Sequence, residues 1–136
     1  MTGGQPDPVA GLLAADAAAR GLGIAISDVG GGRATARMTV TPAMVNGLGI
    51  CHGGFLFLLA DSALGYASNG DGVPAVAAAC DIVFVAPARP GDELTADAVR
   101  RAGYGRSGLY DVTVWRPADG ALIAELRGQT RSPRTP

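Results

Sequence analysis

The feature that most constrains this chain is the segment GGFLFLLADSALGYASN at residues 53–69, apolar around nearly the whole helical circumference and closed by Asn69-Gly70. A surface helix shows one apolar stripe, whereas a helix apolar on all sides has to be enclosed. The rest of the chain must therefore supply a wrapper, and downstream it has the pattern for one. Residues 75–85 form a mostly apolar run in which Ala77, Ala78 and Ala79 permit close approach to the helix, and they read as a central strand. Residues 93–101, 107–116 and 121–131 alternate apolar and polar side chains with the period of half-buried strands, and Ala118-Asp119-Gly120 turns the last pair.

Upstream, residues 8–22 read as one short helix, with Asp7 or Pro8 at its start, Val9, Leu12 and Leu13 on one side, and Gly21 at its stop. Residues 24–29 and 33–40 alternate weakly around Gly30-Gly31-Gly32, a run able to supply the positive backbone angles of a hairpin turn. Residues 42–51 read as a loop. Helix–strand–strand–helix followed by four strands lacks the alternation of a parallel α/β unit. The expected class is therefore α+β, a curved antiparallel β-sheet wrapped around one long buried central helix. The 136 residues suit one domain, 1–136.

Composition enters as a set of exclusions. With 17% charged residues and a formal charge of -1, no basic surface is available to coat nucleic acid. All 11 basic residues are arginine, which removes Schiff-base chemistry and the lysine of phosphate-binding loops. Cys51, Cys80 and His52 are too few for a four-ligand zinc site or a disulfide framework, so no metal and no cofactor is expected, and the thiols suit the cytoplasm. Asp7, Asp16 and Arg20 interrupt the N-terminal alanine-rich stretch, so no signal peptide is expected and the mature chain is expected to start near Met1. The longest run without Asp, Glu, Lys or Arg, 38–60, is broken by Pro42, Asn46, His52 and glycines too often to span a membrane.

Chemistry concentrates between Asn46 and Asp61. Asp61 lies between Phe57 and Leu58 one turn before it and Leu64 one turn after, a costly place for a carboxylate. It is either a structural acid satisfied by backbone donors or an arginine, or a reactive group. His52-Gly53-Gly54 opens the same helix. There the Gly53 N–H has no partner within the helix and points outward with the positive end of the dipole behind it, as an oxyanion hole requires. Glycine at 53 and 54 lets a ligand carbonyl approach without meeting a β-carbon. Gly53 and Asp61 are eight residues apart, roughly 12 Å on a helix rising about 1.5 Å per residue. A carbonyl has to lie about 3 Å from both donor and attacking group, so if both residues serve one reaction, Asp61 must come from a second subunit.

Asn46, Gly47, His52, Gly53, Gly54, Leu59, Ala60, Asp61 and Asn69, with the turn at 72–74 and Pro87, Gly91 and Asp92, occur in the register of a known family. Through them nearly the whole chain resembles the hotdog-fold thioesterases, and within these the phenylacetate-degradation (PaaI-type) branch. The resemblance implies an acyl-CoA thioesterase acting on an aryl (phenylacetyl or hydroxyphenylacetyl) or short acyl group. It also implies a homodimer joined sheet edge to sheet edge with intersubunit sites, assembling further into a homotetramer. Carried over, it implies that the Gly53 amide polarises the thioester carbonyl, that His52 and Asn46 support that side, and that Asp61 of the partner attacks or activates water. Coenzyme A is then part of substrate and product, not a cofactor. The chain departs from some relatives at Ala77, where they carry a hydroxyl near the attacking water; this keeps a non-catalytic acyl-CoA-binding module as the alternative.

Other signals carry less. Gly103-Tyr-Gly105-Arg-Ser-Gly108 matches a dinucleotide pattern but lies between two strands and opens no helix, so it is expected to be a hairpin connection. Arg106 and Ser107 on that turn, with Arg89 near Pro87, are candidate coenzyme A contacts because guanidinium suits phosphate. Ser62 and Ser68 sit inside the helix rather than on a nucleophile elbow. Trp115 and Tyr110 are expected to pack.

Overall fold

The structure, a computed structural model, describes residues 7–134. Six strands form one antiparallel sheet: β1 (Ala25–Gly30), β2 (Arg33–Thr39), β3 (Val76–Phe84), β4 (Glu93–Tyr104), β5 (Ser107–Arg116) and β6 (Ala121–Arg131), in the order β1-β2-β4-β5-β6-β3. The helices are α1 (Pro8–Ala15), α2 (Ala17–Gly21) and α3 (Gly53–Asn69), with a 3-10 turn at Pro42–Met44. The expected α+β wrapper around one long helix is present, and it is the hotdog fold.

Close packing explains the arrangement. Leu59, Ala60, Ala63 and Leu64 of α3 have no exposed surface, and they meet small residues on the sheet's inner face, including Ala36, Ala96 and Ala124. At Gly128 of β6 an added Cβ would stand 2.8 Å from Leu64 Cδ2, so glycine there is a consequence of the helix's approach. The outer face is polar. Asp111 accepts from Arg101 at 2.8 Å and Arg127 at 2.7 Å, while Asp97 accepts from the Thr35 hydroxyl and the Trp115 indole N–H, each at 2.8 Å. This is the apolar-in, polar-out alternation of a half-buried antiparallel sheet.

The turns follow their glycines. Gly31 and Gly32, at φ 61° and 77°, form the two-residue β1–β2 turn, closed by the Gly30–Arg33 pair. Gly105 and Arg106 form the two-residue turn between Tyr104 and Ser107, so the GxGxxG pattern is the expected hairpin connection.

Two expectations are corrected. The run read as a central strand, β3, is an edge strand bonded to β6 alone; Val76 and Phe84 on it are 70% and 52% exposed. An unbroken apolar run implies burial, but here the second flank has no neighbour within the chain. The N-terminal helix is two helices. Asp16, at φ -83° and ψ 80°, ends α1, and its carboxylate caps α2 by accepting from the Ala19 N–H at 3.0 Å. As expected, α3 stops at Asn69-Gly70, with Gly70 at φ -63°. There the Asn69 side chain donates to the Gly65 and Ala75 carbonyls and accepts from the Ala75 N–H, at 2.8 to 2.9 Å.

Candidate active site

The loop before α3 is fixed from several sides. Cys51 N–H donates to the Ala88 carbonyl and His52 N–H to the Met44 carbonyl, both at 2.7 Å. Asn46 closes the loop as a turn residue: its Oδ1 accepts from Leu48 N–H at 2.9 Å and Ile50 N–H at 3.4 Å. Because both partners are donors, the carbonyl end of that amide is committed, and among the described residues the NH2 end has no acceptor.

His52 is the N-cap of α3. Its Nδ1 accepts from the Gly54 N–H at 3.2 Å, so a neutral ring carries its proton on Nε2, as a free donor. The Gly53 N–H, the first amide of this 17-residue helix, meets no acceptor among the described residues. Gly53 itself packs under Phe84, where an added Cβ would stand 2.9 Å from the tip of the ring. Gly54 has only His52 Nδ1 within ordinary contact of such a Cβ. Glycine at 53 is thus explained by the phenyl ring laid over it, and at 54 the space expected for an approaching ligand is present. Asn46, Gly53, Leu56, Phe84 and Pro87 border one cavity of about 490 Å³.

Asp61 borders a different cavity of about 490 Å³, between α3 and the N-terminal helices α1 and α2. It accepts no hydrogen bond and joins no ion pair among the described residues, and burial alone pushes its carboxyl above the usual range. Among the described residues neither a backbone donor nor an arginine satisfies Asp61. One neighbour was not singled out by the sequence. Cys80, on β3, faces the helix, and burial followed by the Asp61 charge pushes its thiol up. The signal was its parity on β3, shared with the inward-facing Ile82.

The remaining candidates are dispersed. Arg89 is exposed in the loop after β3, its N–H donating to Asp92 at 2.9 Å. Arg106 donates to the Ser132 carbonyl at 3.1 Å and, with Ser107, borders a third cavity shared with Ser68 and Asp71 at the C-terminal end of α3. One chain therefore does not bring Arg89 to Arg106 and Ser107. Ala77 is exposed opposite Thr130, beside a bulge in β3. Ser62 and Ser68 donate to the carbonyls of Leu58 and Gly65 within the helix, at 2.8 and 3.1 Å, and neither meets His52. Among the described residues no group of three or more His, Cys, Asp or Glu could hold a metal ion.

An antiparallel sheet wrapped around one long helix defines the hotdog class, and among the described residues the amide of the first helical residue and the Asp61 carboxylate two turns along have no partner. Residues 48–123 match the family model of the thioesterase superfamily, and the chain belongs to that family. It is 48% identical over 115 residues to the acyl-coenzyme A thioesterase PaaI of Escherichia coli K12, covering 85% of this chain and 81% of that one. A solved structure of the E. coli PaaI protein from the phenylacetic acid degradation operon superposes with TM-score 0.90 at 40% identity, over 93% of this chain and 91% of that one. A variant of the phenylacetic acid degradation protein PaaI from Thermus thermophilus gives TM-score 0.80 at 33% identity, over 85% and 97%.

Proposed function

We propose that this thioesterase, as one domain of residues 1–136, hydrolyses acyl-CoA thioesters with an aryl acyl group of the phenylacetyl or hydroxyphenylacetyl type, or a short acyl group. The similarity to a relative named as an acyl-coenzyme A thioesterase supports the substrate class. The observation that carries the chemistry is the Asp61 carboxylate, buried in part and without a partner among the described residues, on a cavity wall.

In this reading the site forms between two subunits. The exposed apolar flank of β3 pairs with its copy, because an open edge of this length invites strand addition. The thioester carbonyl lies at the Gly53 N–H, with Asn46 and His52 holding the loop and helix start around it. Asp61 of the partner subunit acts on the carbonyl carbon. As a general base it takes a proton from water while the oxygen adds to the carbon, and the carbon–sulfur bond then breaks to release the acid and the thiol of coenzyme A. As a nucleophile the same carboxylate forms an anhydride that water opens. Arg89, Arg106 and Ser107 are the proposed contacts for the phosphates of coenzyme A, gathered from both subunits. Dimers pair into a homotetramer. The free cysteines Cys51 and Cys80 suit the cytoplasm, and among the described residues no helix is long and apolar enough to cross a membrane.

Ala77 favours a second reading, a module that binds acyl-CoA without cleaving it, because it offers no hydroxyl to the attacking water. Thiol release from a panel of aryl and aliphatic acyl-CoAs, beside titration with coenzyme A, separates the two. Release supports the enzyme, and tight binding with no release across the panel overturns it in favour of the module.

A further inference from the structure

Both asparagines of the sequence, Asn46 and Asn69, precede a glycine, and the fold treats them in opposite ways. An Asn–Gly pair is chemically labile because the glycine nitrogen can attack the asparagine Cγ, with no side chain to hinder the ring that forms. At Asn69, the last residue of α3, the fold blocks this. The side-chain NH2 donates to the Gly65 and Ala75 carbonyls at 2.8 and 2.9 Å, so the group that would have to leave is held. At Asn46 the NH2 has no acceptor among the described residues. Its Oδ1 accepts from Leu48 N–H at 2.9 Å and Ile50 N–H at 3.4 Å, and the ring closed by the Leu48 bond contains both Cγ and the Gly47 nitrogen. The two donors face the oxygen on which negative charge develops during attack, as in an oxyanion hole. The backbone is pinned on either side, Asn46 N–H donating to the Ile50 carbonyl at 2.8 Å and Gly49 N–H to the Asn46 carbonyl at 3.0 Å. Gly47 is exposed, and its N–H has no acceptor among the described residues.

We infer that Asn46 is a site of self-modification, deamidating through a cyclic imide, whereas Asn69 is protected by the fold. The Gly47 nitrogen gives up its proton and bonds to Asn46 Cγ. The Cγ–NH2 bond breaks, and that nitrogen leaves with the proton as ammonia. Water then opens the imide at one carbonyl or the other, leaving aspartate or isoaspartate at position 46. Either product is negatively charged at neutral pH. The consequence for activity rests on the hydrolytic reading above: the new charge borders the cavity that Asn46 shares with Gly53, where it opposes the charge developing on the thioester oxygen. Isoaspartate also lengthens the backbone by a methylene, which breaks the turn. The enzyme therefore loses activity with age in step with conversion at Asn46, with no protease or oxidant involved.

The test incubates the folded parent, the parent unfolded in urea, and folded Gly47→Ala in mildly alkaline buffer. Peptide masses and thiol release from phenylacetyl-CoA are followed with time. Alanine fits at position 47, where an added Cβ meets nothing within 4 Å and φ is not left-handed. The folded parent should gain one mass unit in the peptide containing Asn46 and none in the peptide containing Asn69, with thiol release falling in proportion. In urea both peptides should convert at comparable rates, and Gly47→Ala should convert more slowly than the parent. Conversion at Asn69 as fast as at Asn46 in the folded parent overturns the inference. So does a folded parent that stays unconverted at Asn46 while the unfolded chain converts there, or Gly47→Ala converting at the parent rate. The masses are read whether or not the chain releases thiol. Conversion at Asn46 with thiol release undiminished keeps the modification and overturns instead the placement of Asn46 beside the reacting carbonyl.

Discussion

Gly53 and Asp61 lie on one helix, eight residues and roughly 12 Å apart, and border two different cavities. The donor end and the carboxylate end of α3 therefore belong to separate sites within a chain. In the proposed mechanism each is completed by the other end, supplied from a second subunit.

Asp61→Asn keeps the shape and removes the charge. Turnover should fall by roughly 10²–10⁴-fold, the usual contribution of a positioned acid or base. Thiol release measured beside circular dichroism checks this, and parent-level turnover in a folded variant would remove Asp61 from the chemistry.

The same substitution carries a pH signature. Burial raises the Asp61 pKa in the folded chain above its unfolded value, so the folded state holds the proton more firmly. The resulting stabilisation is complete below the unfolded carboxylate range and is lost as pH rises through the raised value. Relative to the parent, Asp61→Asn should gain thermal stability from about pH 3 to pH 7, the rise beginning above the ordinary carboxylate range. A melting-temperature difference constant across that range would contradict the burial.

Gly53→Pro removes the proposed donor with little other damage. Gly53 is the first helical residue, where proline is tolerated, and His52 at φ -61° and ψ 136° already has the extended backbone that a following proline demands. The added Cβ meets the tip of the exposed Phe84 ring, which must move. The expected result is a folded protein with turnover reduced by about 10²–10³-fold. A Gly53→Pro variant with the parent kcat would show that the amide is not used.

Much of this was legible before the fold was known. The all-round apolar helix fixed its own burial, and Gly53 and Asp61 were singled out by type and spacing, because helix periodicity and capping are local rules, whereas the roles of Asn46 and His52 came from the family resemblance. The position of β3 was not legible. Its apolar run reflects a surface needing cover, and sequence patterning does not distinguish cover within the chain from cover beyond it. The break at Asp16 was also missed: its cap on Ala19 is a local signal, whereas the Tyr66 bond to the same carboxylate joins residues far apart in sequence.

His52 separates support from catalysis. His52→Ala should cost about 1 kcal/mol in denaturant unfolding through loss of the α3 cap, whereas His52→Asn restores an acceptor and should recover both stability and most turnover. A stable but inactive His52→Asn would assign Nε2–H a direct role.

The β3 edge is tested by charge. Val76→Lys with Val83→Lys places two ammonium groups on the exposed flank, which disfavours strand addition. Light scattering should then report the mass of one chain, with activity lost. A fully active monomer would contradict a shared site.

The most direct measurement mixes the two halves. Co-expressed Asp61→Asn and Gly53→Pro chains, each inactive alone, should regain about one quarter of the parent activity, because random pairing about a two-fold axis leaves one intact site in each mixed dimer. A mixture as inactive as its components, with mixed dimers demonstrated by mass spectrometry, would contradict a site shared between Gly53 of one subunit and Asp61 of the other.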